Sequence, residues 1–195
     1  MSNAAEQTPP RKLLAGLRRR PLLTPVWLTL LLGVFVAAAA AWLWSSQTTT
    51  TVIVVRHAEK ELGTIEDPPL SQAGEQRAAD LARIFGDKSP TTSIDAIFVS
   101  DTRRSERTAA PLAQRLGVTP VVYPGRDVEA LAHRIESNLR GRRVFVVGHS
   151  NTVPELVRAL APRVRVPAMA DGEYDTIYIA TIPTLGPATV LRLKY

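Results

Sequence analysis

Thr51-Val52-Ile53-Val54-Val55-Arg56-His57-Ala58-Glu59-Lys60 is an apolar, β-branched run that stops on an adjacent arginine and histidine. Such a run reads as a buried strand. A strand ending in Arg-His sets both side chains at the carboxyl edge of a sheet, where open α/β folds bind their ligands. An imidazole can attack phosphorus, and a guanidinium can hold phosphate oxygens in a fixed fork. Taken alone, the pair reads more readily as a salt bridge or a solvated cap.

The stretch has a counterpart downstream. Val144-Phe145-Val146-Val147-Gly148-His149-Ser150-Asn151-Thr152 is again an apolar run ending in histidine, followed by a helical pattern from Val153 to Leu160. Gly148 lets the backbone approach a ligand, and a helix start offers free N–H groups to an anion. The chain has three histidines, so two of the three close a strand in this way. His133 lies in a helical segment and reads as a surface residue. Between the two strand ends, Ile94-Asp95-Ala96-Ile97-Phe98-Val99-Ser100 reads as a strand that runs into Asp101-Thr102-Arg103-Arg104-Ser105-Glu106-Arg107. An arginine in that first helical turn can face a phosphate, and it can equally belong to a solvated basic face.

Strand patterns fall at Val52–Val55, Ala96–Val99, Val121–Tyr123, Val144–Val147, Thr176–Ala180 and Thr189–Leu193. Helix patterns fall at Ser71–Phe85, Arg103–Leu116, Asp127–Leu139 and Thr152–Leu160. This alternation predicts an α/β three-layer sandwich, a mostly parallel sheet covered by helices on both faces, over residues 52–195. Asp67-Pro68-Pro69 breaks the chain before the first of these helices, at a place fit for a pocket rim. Little chain is left over for a lid, so an open site is expected.

The motifs resemble those of the histidine phosphatase superfamily, also called phosphoglycerate mutase-like. Arg56 to Glu59 is similar to its Arg-His-Gly/Ala-Glu block. Leu70-Ser71-Gln72-Ala73-Gly74-Glu75-Gln76-Arg77-Ala78 is similar to its second block. Ser100, Arg104, Ser105, Thr108 and Ala109 fit the third, and Gly148-His149-Ser150 the fourth. Four blocks in order over residues 52–160 make a specific signal. The resemblance implies that His57 is a nucleophile taking the phosphoryl group, with Arg56, Arg104 and His149 around it, and neither metal nor other cofactor. His57 then needs an acceptor that fixes its tautomer, which the sequence does not identify. For the general acid, family members use a carboxyl group in an insertion after the third block. That stretch is short here, and Asp127 and Glu129 are its nearest carboxylates, with Asp127 also placed as a helix N-cap. Glu59 and water are the remaining donors. The phytase branch carries Asp after the second histidine, where this chain has Ser150. Some minimal relatives lack an acid and act on good leaving groups.

The N-terminal part is of another kind. Residues 22–44 are free of charge and long enough to span a bilayer as a helix. The chain's three tryptophans, Trp27, Trp42 and Trp44, lie near its ends. Arg11, Lys12, Arg18, Arg19 and Arg20 precede it, and the next charge is Arg56. The positive-inside rule then predicts a basic cytoplasmic segment 1–21, a transmembrane anchor 22–44, a polar linker 45–51 and a catalytic domain outside the cytoplasm, periplasmic in a bacterium. A cleaved signal peptide is the competing reading, with Ala37 to Ala41 offering an Ala-x-Ala site. The sequence pI of about 10.2 does not indicate nucleic acid. Of 24 Lys/Arg and 18 Asp/Glu, five and one lie in residues 1–51, which leaves the rest at a net charge of only +2. The absence of cysteine excludes disulfides, thiolate metal sites and cysteine catalysis.

The expected activity is that of a membrane-anchored phosphomonoesterase working through a phosphohistidine. Its substrate would be a phosphorylated small molecule or an envelope glycan or lipid, by analogy with the family's lipopolysaccharide-core heptose phosphatase. The alternatives are a degenerate relative that only binds a phosphorylated ligand or partner, and a phosphohistidine protein phosphatase, which would call for a cytoplasmic domain.

Overall fold

The computed structural model describes residues 26–46, 48–63 and 66–195. The basic segment 1–21 and the first residues of the expected span lie outside the described residues. Helix α1 covers Val26–Ser46. Its stretch Val26–Trp44 has a mean hydropathy of 2.2 and none of it is buried, so it is long and apolar enough to cross a membrane.

The remaining elements, in chain order, are β1 (Thr49–Arg56), α2 (Gln72–Phe85), β2 (Ala96–Ser100), α3 (Arg103–Leu116), β3 (Val121–Tyr123), α4 (Val128–Asn138), β4 (Arg143–Gly148), α5 (Thr152–Leu160), β5 (Thr176–Pro183) and β6 (Thr189–Lys194). The six strands form one sheet in the order β3-β2-β4-β1-β5-β6. β1 to β4 are mutually parallel, while β5 runs antiparallel to β1 and β6 antiparallel to β5. The fold is thus α/β with a mostly parallel sheet.

Period-two alternation divides each central strand between two cores. Val52, Val54, Val144 and Val146 pack with α4 and α5 through Leu131, Ile135, Leu156 and Leu160. Ile53, Val55, Phe145 and Val147 pack with α2 and α3 through Leu81, Ala109 and Leu112. Helices therefore cover both faces, and the continuous apolar runs read from the sequence are strands buried on both sides.

β1 starts at Thr49, three residues before the expected boundary. The threonines read as linker are paired instead, Thr50 with Ile182 and Thr51 with both Arg143 and Thr181. Their hydroxyls suggested a solvated segment, but their β-branched backbones suit a strand. At the other end of β1, Arg56 lies in register with Gly148, so the carboxyl ends of β1 and β4 are immediate neighbours. Helix α2 closes on this edge through Gly74, where any Cβ would lie 2.1 Å from the Glu59 carbonyl oxygen.

Candidate active site

The two strand-end histidines meet. Their rings are 5.2 Å apart and set edge to face at 65°. They line a cavity of about 580 Å³ together with Arg56 and Arg104, so all four residues singled out in the sequence come together at the carboxyl edge of the sheet.

His57 is buried, and its backbone N–H donates to the Gly148 carbonyl at 2.9 Å. Its Nδ1 lies 2.8 Å from the Ala58 carbonyl oxygen. A carbonyl can only accept, so Nδ1 carries the proton and Nε2 the lone pair. That carbonyl is the acceptor the sequence did not identify. The Ala58 N–H in turn donates to Thr108 Oγ1 at 2.9 Å, and Thr108 donates to the Arg104 carbonyl at 2.7 Å. Burial is the main cause that brings the His57 pKa down to about 3. The Ala58 carbonyl opposes the shift, and Arg104, His149 and Arg56 add to it. The ring is therefore neutral and nucleophilic over nearly the whole accessible pH range.

Arg56 is also buried. Its Nη1 donates to the carbonyls of Ala170 (3.0 Å), Asp171 (2.7 Å) and Glu173 (3.3 Å). Its guanidinium carbon sits 4.1 Å from the Tyr174 ring centroid. Arg104 stands in the first turn of α3 and donates through Nη1 to Asp67 Oδ1 at 3.1 Å. Asp67 Oδ2 accepts from the Arg103 N–H at 2.9 Å, a capping bond that the N-cap Thr102 side chain does not make. The Asp-Pro-Pro break thus supplies a carboxylate that caps α3 and holds Arg104. Both arginines keep a buried Nε with no partner among the described residues. Unsatisfied buried donors are costly, and both side chains line the cavity.

His149 is only half-buried. Its Nε2 lies 2.9 Å from Ser100 Oγ, and Ser100 donates onward to Ser105 Oγ at 2.6 Å. Ser100 therefore accepts from Nε2–H, which leaves the lone pair on Nδ1. Burial first, then Arg104, lowers the His149 pKa, with Arg56 adding and Asp101 and Asp67 opposing. Gly148 sits in a tight place: a Cβ there would lie 3.0 Å from Thr152 Oγ1 and 3.2 Å from the Tyr123 hydroxyl, so those side chains would have to give way.

Residues 52–126 match the family model of the histidine phosphatase superfamily (branch 1). The chain carries the signature and the fold of that superfamily. Among solved structures, the protein histidine phosphatase SixA complexed with tungstate is 23% identical with a TM-score of 0.61. The match covers 74% of this chain and 96% of that one. A mycobacterial glucosyl-3-phosphoglycerate phosphatase is 17% identical with a TM-score of 0.54, over 68% of this chain and 90% of the other. At such identities the likeness is one of fold. No curated protein sequence matches the chain.

Within this histidine phosphatase fold, the acids expected from the sequence do not reach the cavity. Asp127 is exposed and caps α4, accepting from the Ala130 N–H at 3.4 Å, and Glu129 is exposed in the first turn of that helix. Glu59 is engaged by Arg77, which donates to both of its oxygens. Burial raises its pKa, but the bonds from Arg77 and nearby positive charge outweigh that and hold the carboxyl below its ordinary range. The carboxylate that does line the cavity is Asp101, just beyond β2, and its Oδ1 accepts from the Gly125 N–H at 3.1 Å. In the sequence Asp101 reads as an ordinary residue at a helix start. What marks it is its bond to Gly125, a contact between the ends of β2 and β3 that exists only once these strands are paired. His133 is exposed on α4.

Proposed function

We propose that this chain is a phosphatase that transfers the phosphoryl group of its substrate to His57 Nε2 and then hydrolyses the phosphohistidine. The observation that carries the reading is the backbone-pinned neutral imidazole of His57, which lines one cavity with Arg56, Arg104 and His149. Phosphoryl transfer asks for an in-line nucleophile, positioning and charge stabilisation. Arg56 and Arg104 meet the nonbridging oxygens. The Nε2 lone pair forms the P–N bond as the P–O bond to the leaving group breaks, and Asp101 gives that oxygen its proton. The Nδ1–H bond to the Ala58 carbonyl then stabilises the cationic phosphoimidazole. Water then attacks phosphorus, giving a proton back to Asp101, while the P–N bond breaks and its electron pair returns to Nε2.

The N-terminal part extends the proposal. The basic residues ahead of the apolar helix and the uncharged stretch behind it support a membrane anchor over residues 22–44 and a catalytic domain, residues 52–195, on the extracytoplasmic side. A phosphorylated small molecule or an envelope glycan or lipid is then the accessible substrate. The test of the chemistry is to quench the purified chain during turnover of an aryl phosphate and look for an acid-labile, alkali-stable phosphoenzyme. The parent forms it and His57→Ala does not; a phosphoenzyme retained in the variant overturns the assignment. A reporter fused after Tyr195 tests the topology, and activity of a fusion that works only in the cytoplasm would refute it.

A further inference from the structure

Beyond the four inner residues, the cavity has a mouth of its own character. Apart from Pro124 and Gly125, every residue lining the cavity is polar or charged, and none has a large apolar or aromatic side chain. Two of the mouth residues are the cations Lys60 and Arg126, both exposed. They come from separate segments, Lys60 from the turn after β1 and Arg126 from the turn between β3 and α4. The two inner arginines are held in place, Arg56 by backbone carbonyls and Arg104 by Asp67. Lys60 and Arg126 have no ion pair among the described residues, unlike Arg77, Arg142, Arg192 and Lys194 on the same domain. The acidic residue in the cavity lining is Asp101, and its Oδ1 is already engaged by the Gly125 N–H.

We infer that the natural substrate carries a second anionic group on its leaving-group side, a carboxylate or a further phosphate, that Lys60 and Arg126 bind while the inner set takes the transferred phosphoryl group. The inference rests on the phosphatase reading for which group is transferred. It does not rest on turnover for the charge of the ligand. An apolar leaving group, such as a simple alkyl or aryl chain, finds almost no surface here to bury. A neutral polyol finds hydrogen-bond partners but leaves two cations of one cavity unopposed at its mouth. A dianionic or bis-anionic ligand satisfies both sets, and its attraction to the mouth is of the kind that salt screens.

The experiment compares ligands that differ only in the far charge. Full-length chain in detergent is titrated calorimetrically with an ω-carboxyalkylphosphonate and with the ω-hydroxyalkylphosphonate of matched length, which cannot be hydrolysed at the P–C bond. The corresponding phosphate esters are assayed in parallel. The carboxylated ligand should bind more tightly by roughly fivefold to tenfold at low salt, a size set by exposed ion pairs. The double variant Lys60→Gln/Arg126→Gln should lose that preference while keeping its affinity for the hydroxyl ligand and its turnover of an aryl phosphate. Equal binding of the two phosphonates by the parent overturns the inference, as does a preference that survives in the double variant. If the preference is present and rim-dependent but neither ester is hydrolysed, the inference stands and the phosphatase reading falls. If esters are hydrolysed with no preference, the reverse holds.

Discussion

The carboxyl ends of β1 and β4 follow one sequence rule and yet present opposite imidazoles. Each strand is an apolar run that stops at a histidine, and the register sets Arg56 beside Gly148. At the β1 end the ring is pinned by backbone: the Ala58 carbonyl takes the Nδ1 proton and frees the Nε2 lone pair. At the β4 end it is pinned by side chains: Ser100 takes the Nε2 proton, with Ser105 behind it, which leaves the lone pair on Nδ1. A peptide carbonyl cannot reverse its role, whereas a hydroxyl chain can turn round. The comparison teaches that the strand-end position supplies the imidazole, and the partner of its second nitrogen decides what that imidazole does. A ring locked as an acceptor at Nε2 is built to attack. A ring on a reversible hydroxyl relay can gain a proton when an anion arrives.

The strongest way to break this contrast is to exchange the fates of the two rings. His57→Ala should lower kcat by on the order of 10⁴-fold or more and abolish the phosphoenzyme. His149→Ala should lower kcat and still allow phosphoenzyme to be trapped. Phosphoenzyme lost in the second variant and kept in the first would invert the assignment. The parent also has a pH signature. Because the His57 pKa in the free protein is lowered to about 3, kcat/KM should show no loss from protonation of this nucleophile as pH falls through 6.5, the ordinary value. The same shift makes the folded state less stable in that window. Between about 6.5 and about 3 the unfolded chain binds a proton at this residue that the folded chain does not, so stability drops as pH falls.

The next effect in size concerns the arginines on either side. Arg104→Gln removes a partly buried charge and its bond to Asp67. It should cost roughly 10² to 10³ in kcat/KM, the range for a lost charge-stabilising donor. Arg104→Lys should recover little, since an ammonium has no fork. Full activity in the lysine variant would show that charge alone suffices there and would separate Arg104 from the oxyanion contacts assigned to it.

What could be read in the sequence, and what could not, follows the same division between strand ends and their partners. Ile53 and Val55 face one core and Val52 and Val54 the other, so the strand showed itself as an unbroken apolar run. All six strands and the four helices of the domain lie where their patterns placed them, with ends shifted by a few residues at most. The four inner residues were legible because each sits at a fixed place on such an element. Their partners were not. The Ala58 carbonyl is a backbone group that every residue owns. The carbonyls that hold Arg56 come from residues 170–173, more than a hundred positions away, and Asp67 reaches Arg104 across 37 residues. Asp127 shows why proximity in sequence misleads for the acid. A carboxylate just ahead of a helix serves as well for capping as for catalysis, and its backbone partner claimed it.

A smaller effect sharpens the contrast from the side of the leaving group. An alkoxide needs a proton in the transition state and a nitrophenolate scarcely does. Asp101→Asn should therefore slow alkyl phosphates by roughly 10²-fold and leave nitrophenyl phosphate almost unchanged. The Asn side chain keeps an oxygen for the Gly125 N–H, so the local turn is preserved. Matching effects on both substrates would make Asp101 a structural residue and return the donor to water.

The smallest effect is the most direct test of the reversible relay at His149. Its pKa is lowered by burial and by Arg104, so in the free enzyme the ring is neutral near neutral pH and offers a lone pair toward an incoming anion. Binding then requires the ring to take up a proton, after which both nitrogens donate. Linkage fixes the sign: if binding takes up a proton, affinity rises as pH falls, by at most about tenfold per pH unit, over the range between the free and bound pKa values. Sulfate is the right probe, because it stays a dianion across that range while phosphate does not. Calorimetric titration with sulfate in buffers of different ionisation enthalpy should show proton uptake and tighter binding at the lower pH. His149→Gln should bind sulfate more weakly and with little pH dependence, since an amide cannot titrate. His57 should contribute little to the uptake, because its Nδ1 proton is already committed to a carbonyl and its own pKa lies far below the window. If sulfate affinity in the parent is flat with pH, or if the dependence persists in His149→Gln, the ring does not change state on binding and the two strand ends differ in position alone.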